Sequence, residues 1–164
     1  MELFKTAFFM VALMLLFVFI GGMIGGVGGM MIAFCIAVAM NFFSYFYSDK
    51  LILRHYNAHE IEPSNELYSI TRNLCYKANL SMPKLYIIND PIPNAFATGR
   101  NPNNSAVALT TGLLNTLNID EVSAVIAHEL GHIRHYDILT GSIAAIFAGA
   151  IAILANFAQF GAML

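Results

Sequence analysis

Long apolar runs flank one polar segment in this chain. Residues 6–48 and 138–164 contain no Asp, Glu, Lys or Arg, and almost all charged residues lie within 49–137. As a helix, the first apolar run, 3–20, would rise about 27 Å, which is enough to span a bilayer. The pattern therefore predicts a polar domain of residues 49–137 between membrane-spanning ends.

A glycine-rich segment, 21–29, divides the first apolar stretch. It predicts a tight turn between two membrane helices, at about 3–20 and 28–47. One alternative is a continuous helix with small-xxx-small glycine spacing, but residues 6–48 would then extend roughly 65 Å, about twice a bilayer. Another is a cleaved signal peptide, although no small-x-small cleavage site precedes a polar mature chain. The uncharged residues 138–164 predict a third span.

The polar segment shows both helical and strand periodicity, which predicts an α+β fold. Apolar residues recur at steps of three and four in its helical parts and alternate with polar residues in its strands. The predicted elements are a helix at about 64–79, a buried strand at 84–89, a hairpin of strands at 95–98 and 105–110 around a turn at 99–104, and a helix from the capping residue Asn118 to Tyr136.

Composition and charge exclude several classes of protein. The chain is 58% hydrophobic and 11% charged, which excludes an ordinary soluble domain and a disordered chain. A formal net charge of −2 with 8 Lys and Arg excludes a nucleic-acid partner.

Nearly all Lys and Arg lie between the second and third apolar runs, so the positive-inside rule predicts a multi-pass protein of the plasma membrane with its polar domain in the cytoplasm. Two cysteines, Cys35 and Cys75, imply no disulfide framework.

The chemistry is carried by His128-Glu129-Leu130-Gly131-His132. Histidines four residues apart lie on one face of a helix, so both imidazoles can reach one Zn²⁺ at about 2.0–2.1 Å. Glu129 would take a proton from a water that the metal activates for attack on a peptide carbonyl. The alternative is a polar stripe on a surface helix. The apolar, strongly helical surroundings favour one zinc ion per chain, with His128 and His132 as ligands and Glu129 as general base.

Three further motifs accompany this sequence, namely Asn94–Arg100, Ala108–Leu114 and Asp120–Val122, and the sequence itself lies within a longer motif, Val125–Ile133. Together they resemble the HtpX membrane zinc metalloproteases, and the resemblance covers the whole chain. It implies a zincin-like metalloprotease core with transmembrane helices on both sides.

The resemblance also implies a function. Such proteases are integral endopeptidases of the bacterial inner membrane that cut misfolded or damaged membrane proteins in quality control and the stress response. The expected partners are therefore membrane-protein substrates and the lipid bilayer, and a homo-oligomer is left open. Residues Asn94, Ala95, Phe96, Ala97 and Thr98 would form the edge strand on which an extended substrate adds itself as a further strand.

One departure from the family concerns the metal. The resemblance implies a third zinc ligand, a glutamate downstream of the third span, and no residue up to Leu164 matches it. We therefore expect a chain truncated after the third span, and an inactive membrane adaptor that keeps the zincin shape is the alternative function. A metal sensor or transporter would place ionisable residues inside its spans, whereas residues 6–48 and 138–164 contain no Asp, Glu, Lys, Arg or His.

Two residues near the motif are not expected to be ligands. His135 would lie about 10 Å along the helix from His128, too far to share an ion with it. Asp137 would face the opposite side if the helix continued, where it could cap the helix or support a ligand.

Overall fold

The computed structural model describes residues 2–144 and 148. The elements in chain order are α1 (Glu2–His55), β1 (His59–Glu60), α2 (Glu66–Ala78), β2 (Lys84–Ile88), β3 (Ala95–Asn101), β4 (Asn104–Thr110), α3 (Thr111–Thr116) and α4 (Ile119–His135). A further helical segment covers 138–144. The rest of the predicted third span lies outside the described residues, apart from residue 148.

Element α1 is two helices joined at a sharp turn. Gly25 and Gly26 have non-helical backbone angles, and Gly26 combines φ 56° with ψ −143°, a conformation open in practice only to glycine. A Cβ placed on Gly21 would lie 2.6 Å from the carbonyl oxygen of Gly29, whereas these residues would be about 12 Å apart in a straight helix. The two halves therefore run back along each other.

The turn falls inside the segment where the glycines predict it, but the helices are longer than expected. The second half continues to His55, beyond the predicted end at residue 47, and so carries the chain from the apolar run into the polar domain. Residues Phe4–His55 have the length and apolar composition to cross a membrane. In the 18-residue stretch of highest hydropathy within them, 6% is buried inside the protein. That they form two spans stays a prediction.

Four strands form one mixed sheet in the order β1-β2-β4-β3. The predicted hairpin is confirmed: β3 and β4 are antiparallel, with Ala97 opposite Val107. Strands β2 and β4 are parallel, with Tyr86 opposite Ala108, a pairing the sequence pattern did not predict. Since β4 is central, β3 lies at one edge of the sheet.

Helices cover both faces of the sheet. On one face the side chains of Leu85, Val107 and Leu109 pack against α4 and α2 in the main core. Residues of α4 recur in that core at steps of three and four: Val122, Ile126, Leu130 and Ile133, each at most 3% exposed. Full burial of such a side chain stabilises the fold by about 1.5–3 kcal/mol. Burial of this stripe therefore determines how α4 is rotated about its axis and which of its faces points away from the core. The opposite sheet face packs against the end of α1 through Leu53, Ile88, Ala106 and Ala108.

The predicted helices of the polar domain are confirmed with small shifts. Helix α2 begins after Asn65, whose side chain accepts a hydrogen bond from the Leu67 N–H. Helix α4 begins with a capping box in which the Asn118 side chain accepts from the backbone of Glu121, and the Glu121 carboxylate accepts from the Asn118 N–H. These local signals explain why the sequence located both helix starts.

Candidate active site

The two motif histidines face each other on α4. Their Nε2 atoms are 3.2 Å apart, and the rings meet edge to face with centroids 4.8 Å apart. Two nitrogen ligands at tetrahedral angles around one zinc ion would be about 3.3 Å apart, given Zn–N bonds of about 2.0–2.1 Å. The spacing of His128 and His132 therefore suits a shared zinc ion. Within 2–144 and 148, no cluster of three His, Cys, Asp or Glu side chains suited to a metal ion is present.

Asp137 supports His132, which is one of the two roles that the sequence left open for it. A position on the opposite face was expected only if the helix continued, and the helix does not continue. The helix ends at His135, and Tyr136 takes a left-handed conformation with φ 63° that turns the chain back. As a result, Asp137 Oδ2 lies 2.9 Å from Nδ1 of His132. A proton held on Nδ1 leaves the Nε2 lone pair free for a metal. The hydrogen bond to Asp137 is also the main reason that the pKa of His132 is raised.

Glu129 lies beside the histidines but points into the protein. It is 9% exposed, and its Oε2 accepts a hydrogen bond of 2.9 Å from the backbone N–H of Ala97 in β3. Burial raises the pKa of this carboxyl above its ordinary value, while the Ala97 hydrogen bond and the two histidines act against that rise. A carboxylate with a raised pKa is a better proton acceptor near neutral pH.

Of the five residues predicted to bind substrate, two present their backbone to the free edge. Because the Ala97 N–H points at Glu129, it points away from β4, and the backbone of Ala95 does the same by strand alternation. The alternate residues Phe96 and Thr98 direct their backbone groups towards Ala108 and Ala106 of β4. Asn94, just before the strand, exchanges hydrogen bonds with Thr110. The binding role of all five stays a prediction.

Thr98 has a second contact that the sequence did not indicate. Its side chain is 1% exposed, and its hydroxyl lies 2.8 Å from that of Ser142 in the segment 138–144. This contact joins the edge strand β3 to the segment that follows α4, the helix that carries His128 and His132. A contact between positions so far apart along the chain has no local sequence signal.

Thr110 organises the loop that leads into the edge strand. Its buried hydroxyl accepts hydrogen bonds from the N–H groups of Asn94, at 2.8 Å, and Leu113, at 3.2 Å. The same hydroxyl lies 2.9 Å from the carbonyl oxygen of Ile92. The sequence reasoning missed this role, although a threonine at the N-cap of a following helix was a usable signal.

Comparison with known proteins places this site in a family. Residues 62–164 match peptidase family M48. The Protease HtpX homolog of Campylobacter curvus is 65% identical over 99% of this chain, and that of Campylobacter concisus is 62% identical over 99%. The homolog of Burkholderia ambifaria is 54% identical over 95% of this chain. The chain therefore belongs to peptidase family M48, a family of metalloproteases, and within it is similar to the HtpX proteases.

Two further findings qualify the comparison. The chain spans 57% of the length of both Campylobacter relatives. The crystal structure of Ste24p from S. mikatae matches 92% of this chain and 34% of its own, with a TM-score of 0.51 at 19% identity. That likeness shows a shared fold, and it confirms the expected mixed architecture of helices around a small sheet. These matches do not favour the alternative of an inactive adaptor.

Proposed function

We propose that this chain forms the zinc-binding and catalytic part of a membrane-embedded endopeptidase. Its substrates are misfolded or damaged membrane proteins, which it cuts in quality control and the stress response. The observation that carries the proposal is the arrangement of His128, His132 and Glu129, with facing Nε2 atoms 3.2 Å apart and a buried carboxylate beside them.

His128 and His132 would hold the zinc ion through their Nε2 atoms. When bound, the ion would polarise the substrate carbonyl and lower the pKa of a water molecule. Asp137 keeps the proton of His132 on Nδ1, which presents Nε2 in the form that binds a metal.

Glu129 would act as general base and then as general acid. Its carboxylate accepts a proton from the attacking water as the oxygen bonds to the peptide carbon, and then gives that proton to the leaving amine nitrogen when the C–N bond breaks. The Ala97 N–H orients the carboxylate throughout.

Substrate would bind as an extended strand along the free edge of β3. The outward N–H and C=O of Ala95 and the outward C=O of Ala97 offer main-chain hydrogen bonds, which do not depend on the substrate's side chains, while the Ala97 N–H stays on Glu129. This mode supports a broad choice of damaged proteins.

The surface of α1 supports a membrane position. Its described part exposes many large apolar side chains, including Phe8, Leu15, Phe19, Met31 and Phe42, which water solvates poorly. We propose that this hairpin lies in the inner membrane with the polar domain on the cytoplasmic side, as the distribution of Lys and Arg indicates. The site then lies near the membrane surface, because only five residues separate His132 from the apolar segment that begins at residue 138.

The test measures bound zinc and cleavage of an unfolded casein substrate by the detergent-solubilised chain. Glu129→Gln should retain zinc and lose cleavage, while the matched control Glu62→Gln, at an exposed position, should keep both. Because the chain spans 57% of its Campylobacter curvus relative, the same assays are run on a chimera extended by the remainder of that relative. Zinc binding without cleavage in both forms would favour the adaptor, and absence of zinc from both would overturn the proposal.

A further inference from the structure

We propose that a cavity on the other face of the sheet binds the phosphate group of an anionic phospholipid. This inference rests on the proposed membrane position of the chain. It does not depend on proteolysis, because the cavity and α4, which carries His128, Glu129 and His132, lie on opposite faces of the sheet.

The cavity is formed where the end of α1 crosses the sheet. It has a volume of about 770 Å³, within the range of small-molecule sites. Its wall includes Lys50 and Arg54 of α1, Lys84 and Tyr86 of β2, and Asn104 and Ser105 of β4. The alternation of β2 turns Lys84 and Tyr86 towards this cavity and Leu85 towards α4.

Positive charge is in excess at this cavity. Lys84 is already paired, with its Nζ 3.1 Å from both carboxylate oxygens of Glu60. Among the described residues, neither Lys50 nor Arg54 has a carboxylate within salt-bridge distance. Arg100 joins them in a smaller adjoining pocket that shares Asp49, Lys50 and Asn104. Within the part of the chain that the structure describes, Asp49 is the one carboxylate that lines these two pockets, and Lys50, Arg54 and Arg100 line them without a salt bridge, so three cations share one anion.

Neighbouring aromatic rings place these cations at headgroup level. The Arg100 guanidinium carbon lies 5.2 Å from the centre of the Phe46 ring, and the Lys50 Nζ lies 5.5 Å from that of Tyr47. About 20 helical residues cross the hydrocarbon core of a bilayer, and that distance from the turn at Gly26 ends near Phe46. Aromatic residues are typical of the interface, and basic pockets just beyond it bind anionic headgroups.

A free phosphate ion would accept hydrogen bonds from the same cationic side chains. The same ligand chemistry therefore fits two ligands, a phospholipid headgroup and inorganic phosphate. The exposed rings on the same helix, at Phe42, Phe43, Phe46 and Tyr47, favour the phospholipid. Acyl chains can pack along these rings while the phosphate lies against Lys50 and Arg54.

Calorimetric titration of the detergent-solubilised Glu129→Gln chain tests the proposal. The probes are dihexanoyl phosphatidylglycerol, dihexanoyl phosphatidylcholine and inorganic phosphate. The test variant is Lys50→Gln/Arg54→Gln. The matched control, Arg72→Gln/Lys77→Gln, removes two exposed cations of α2 on the other side of the sheet. Because an inactive chain is used, failure of the protease function leaves this measurement unaffected.

Phosphatidylglycerol should bind more tightly than phosphatidylcholine, and the test variant should weaken that binding about 25-fold, at about fivefold per cation. The control should bind as the parent does, and Lys50→Arg/Arg54→Lys should retain binding, which separates loss of charge from loss of folding. Inorganic phosphate binding as tightly as phosphatidylglycerol would overturn the lipid assignment. Equal binding of both lipids, or binding unchanged in the test variant, would overturn the site.

Discussion

The backbone N–H of Ala97 donates a 2.9 Å hydrogen bond to the carboxylate of Glu129, across 32 residues of sequence. This bond connects the edge strand, where we propose that substrate binds, to the proposed general base. It also uses a backbone donor that would otherwise be free at the sheet edge.

Replacing Ala97 with proline should separate the positioning of Glu129 from the pairing of β3. Proline removes the N–H that holds Glu129 but breaks no hydrogen bond to β4, because that N–H points outward. A hydrogen bond to a charged group contributes about 1.5–3 kcal/mol, so kcat/KM should fall about 10- to 100-fold. Ala95→Pro is the matched comparison, since it removes an outward N–H that is proposed to bind substrate but does not contact Glu129. It should raise KM and leave kcat near that of the parent, whereas Ala97→Pro should lower kcat. Equal losses of kcat in the two variants would contradict the role of the Ala97 bond.

Asp137→Ala should weaken zinc binding without removing a ligand. Loss of the 2.9 Å contact to Nδ1 frees the ring of His132 to rotate and to change tautomer. Losing such a supporting group typically costs about 10- to 100-fold in metal affinity. Competition with a chromophoric chelator measures the affinity, and Asp120→Ala, at the exposed start of α4, provides the control. Unchanged affinity in Asp137→Ala would show that the contact does not orient a ligand.

Burial of Glu129 should make the stability of the metal-free chain decrease as pH rises. Its folded pKa is raised above the ordinary carboxyl value of 4.5, so between those two pKa values the folded state binds more protons than the unfolded state. The free energy of unfolding therefore falls as pH rises through this window. Glu129→Gln lacks this titration, so its Tm should exceed that of the parent by more near pH 8 than near pH 5. Thermal unfolding followed by circular dichroism at both pH values checks this, and a gap that shrinks with rising pH would refute it.

Gly26→Ala should destabilise the α1 hairpin. The backbone at Gly26, with φ 56° and ψ −143°, is strained for any residue with a Cβ, at a cost of about 1–3 kcal/mol. Gly28→Ala is the control, because a Cβ there meets no atom within 4 Å and its φ is ordinary. Thermal unfolding in detergent should show a lower Tm for Gly26→Ala than for the parent, and an unchanged Tm for Gly28→Ala. Equal Tm values would mean that the turn does not require glycine at residue 26.

Much of the local structure was predictable because its signals are local. The capping residue Asn118 and the helical periodicity from about residue 64 marked helix starts, and the turn residues at 99–104 marked the hairpin. The spacing of His128 and His132 placed both imidazoles on one helix face, since residues four apart always share a face. Their facing geometry in the structure suits the predicted metal pair, whose function stays a proposal.

Other parts of the site depended on contacts between distant residues. The parallel pairing of β2 with β4 made β3 an edge strand, and only packing against α4 brought Ala97 to Glu129. The left-handed turn at Tyr136 brought Asp137 to His132, where helical periodicity alone placed it on the opposite face.

By itself, the sequence determined which residues are apolar, where helices and turns begin, and which side chains could bind a metal. These properties depend on side-chain chemistry and on periodicities of a few residues. Only the tertiary structure decided which strand has a free edge, what orients Glu129 and His132, and which cations face one cavity. Those relationships depend on packing of the sheet between α1 and α4, which no short stretch of the chain specifies.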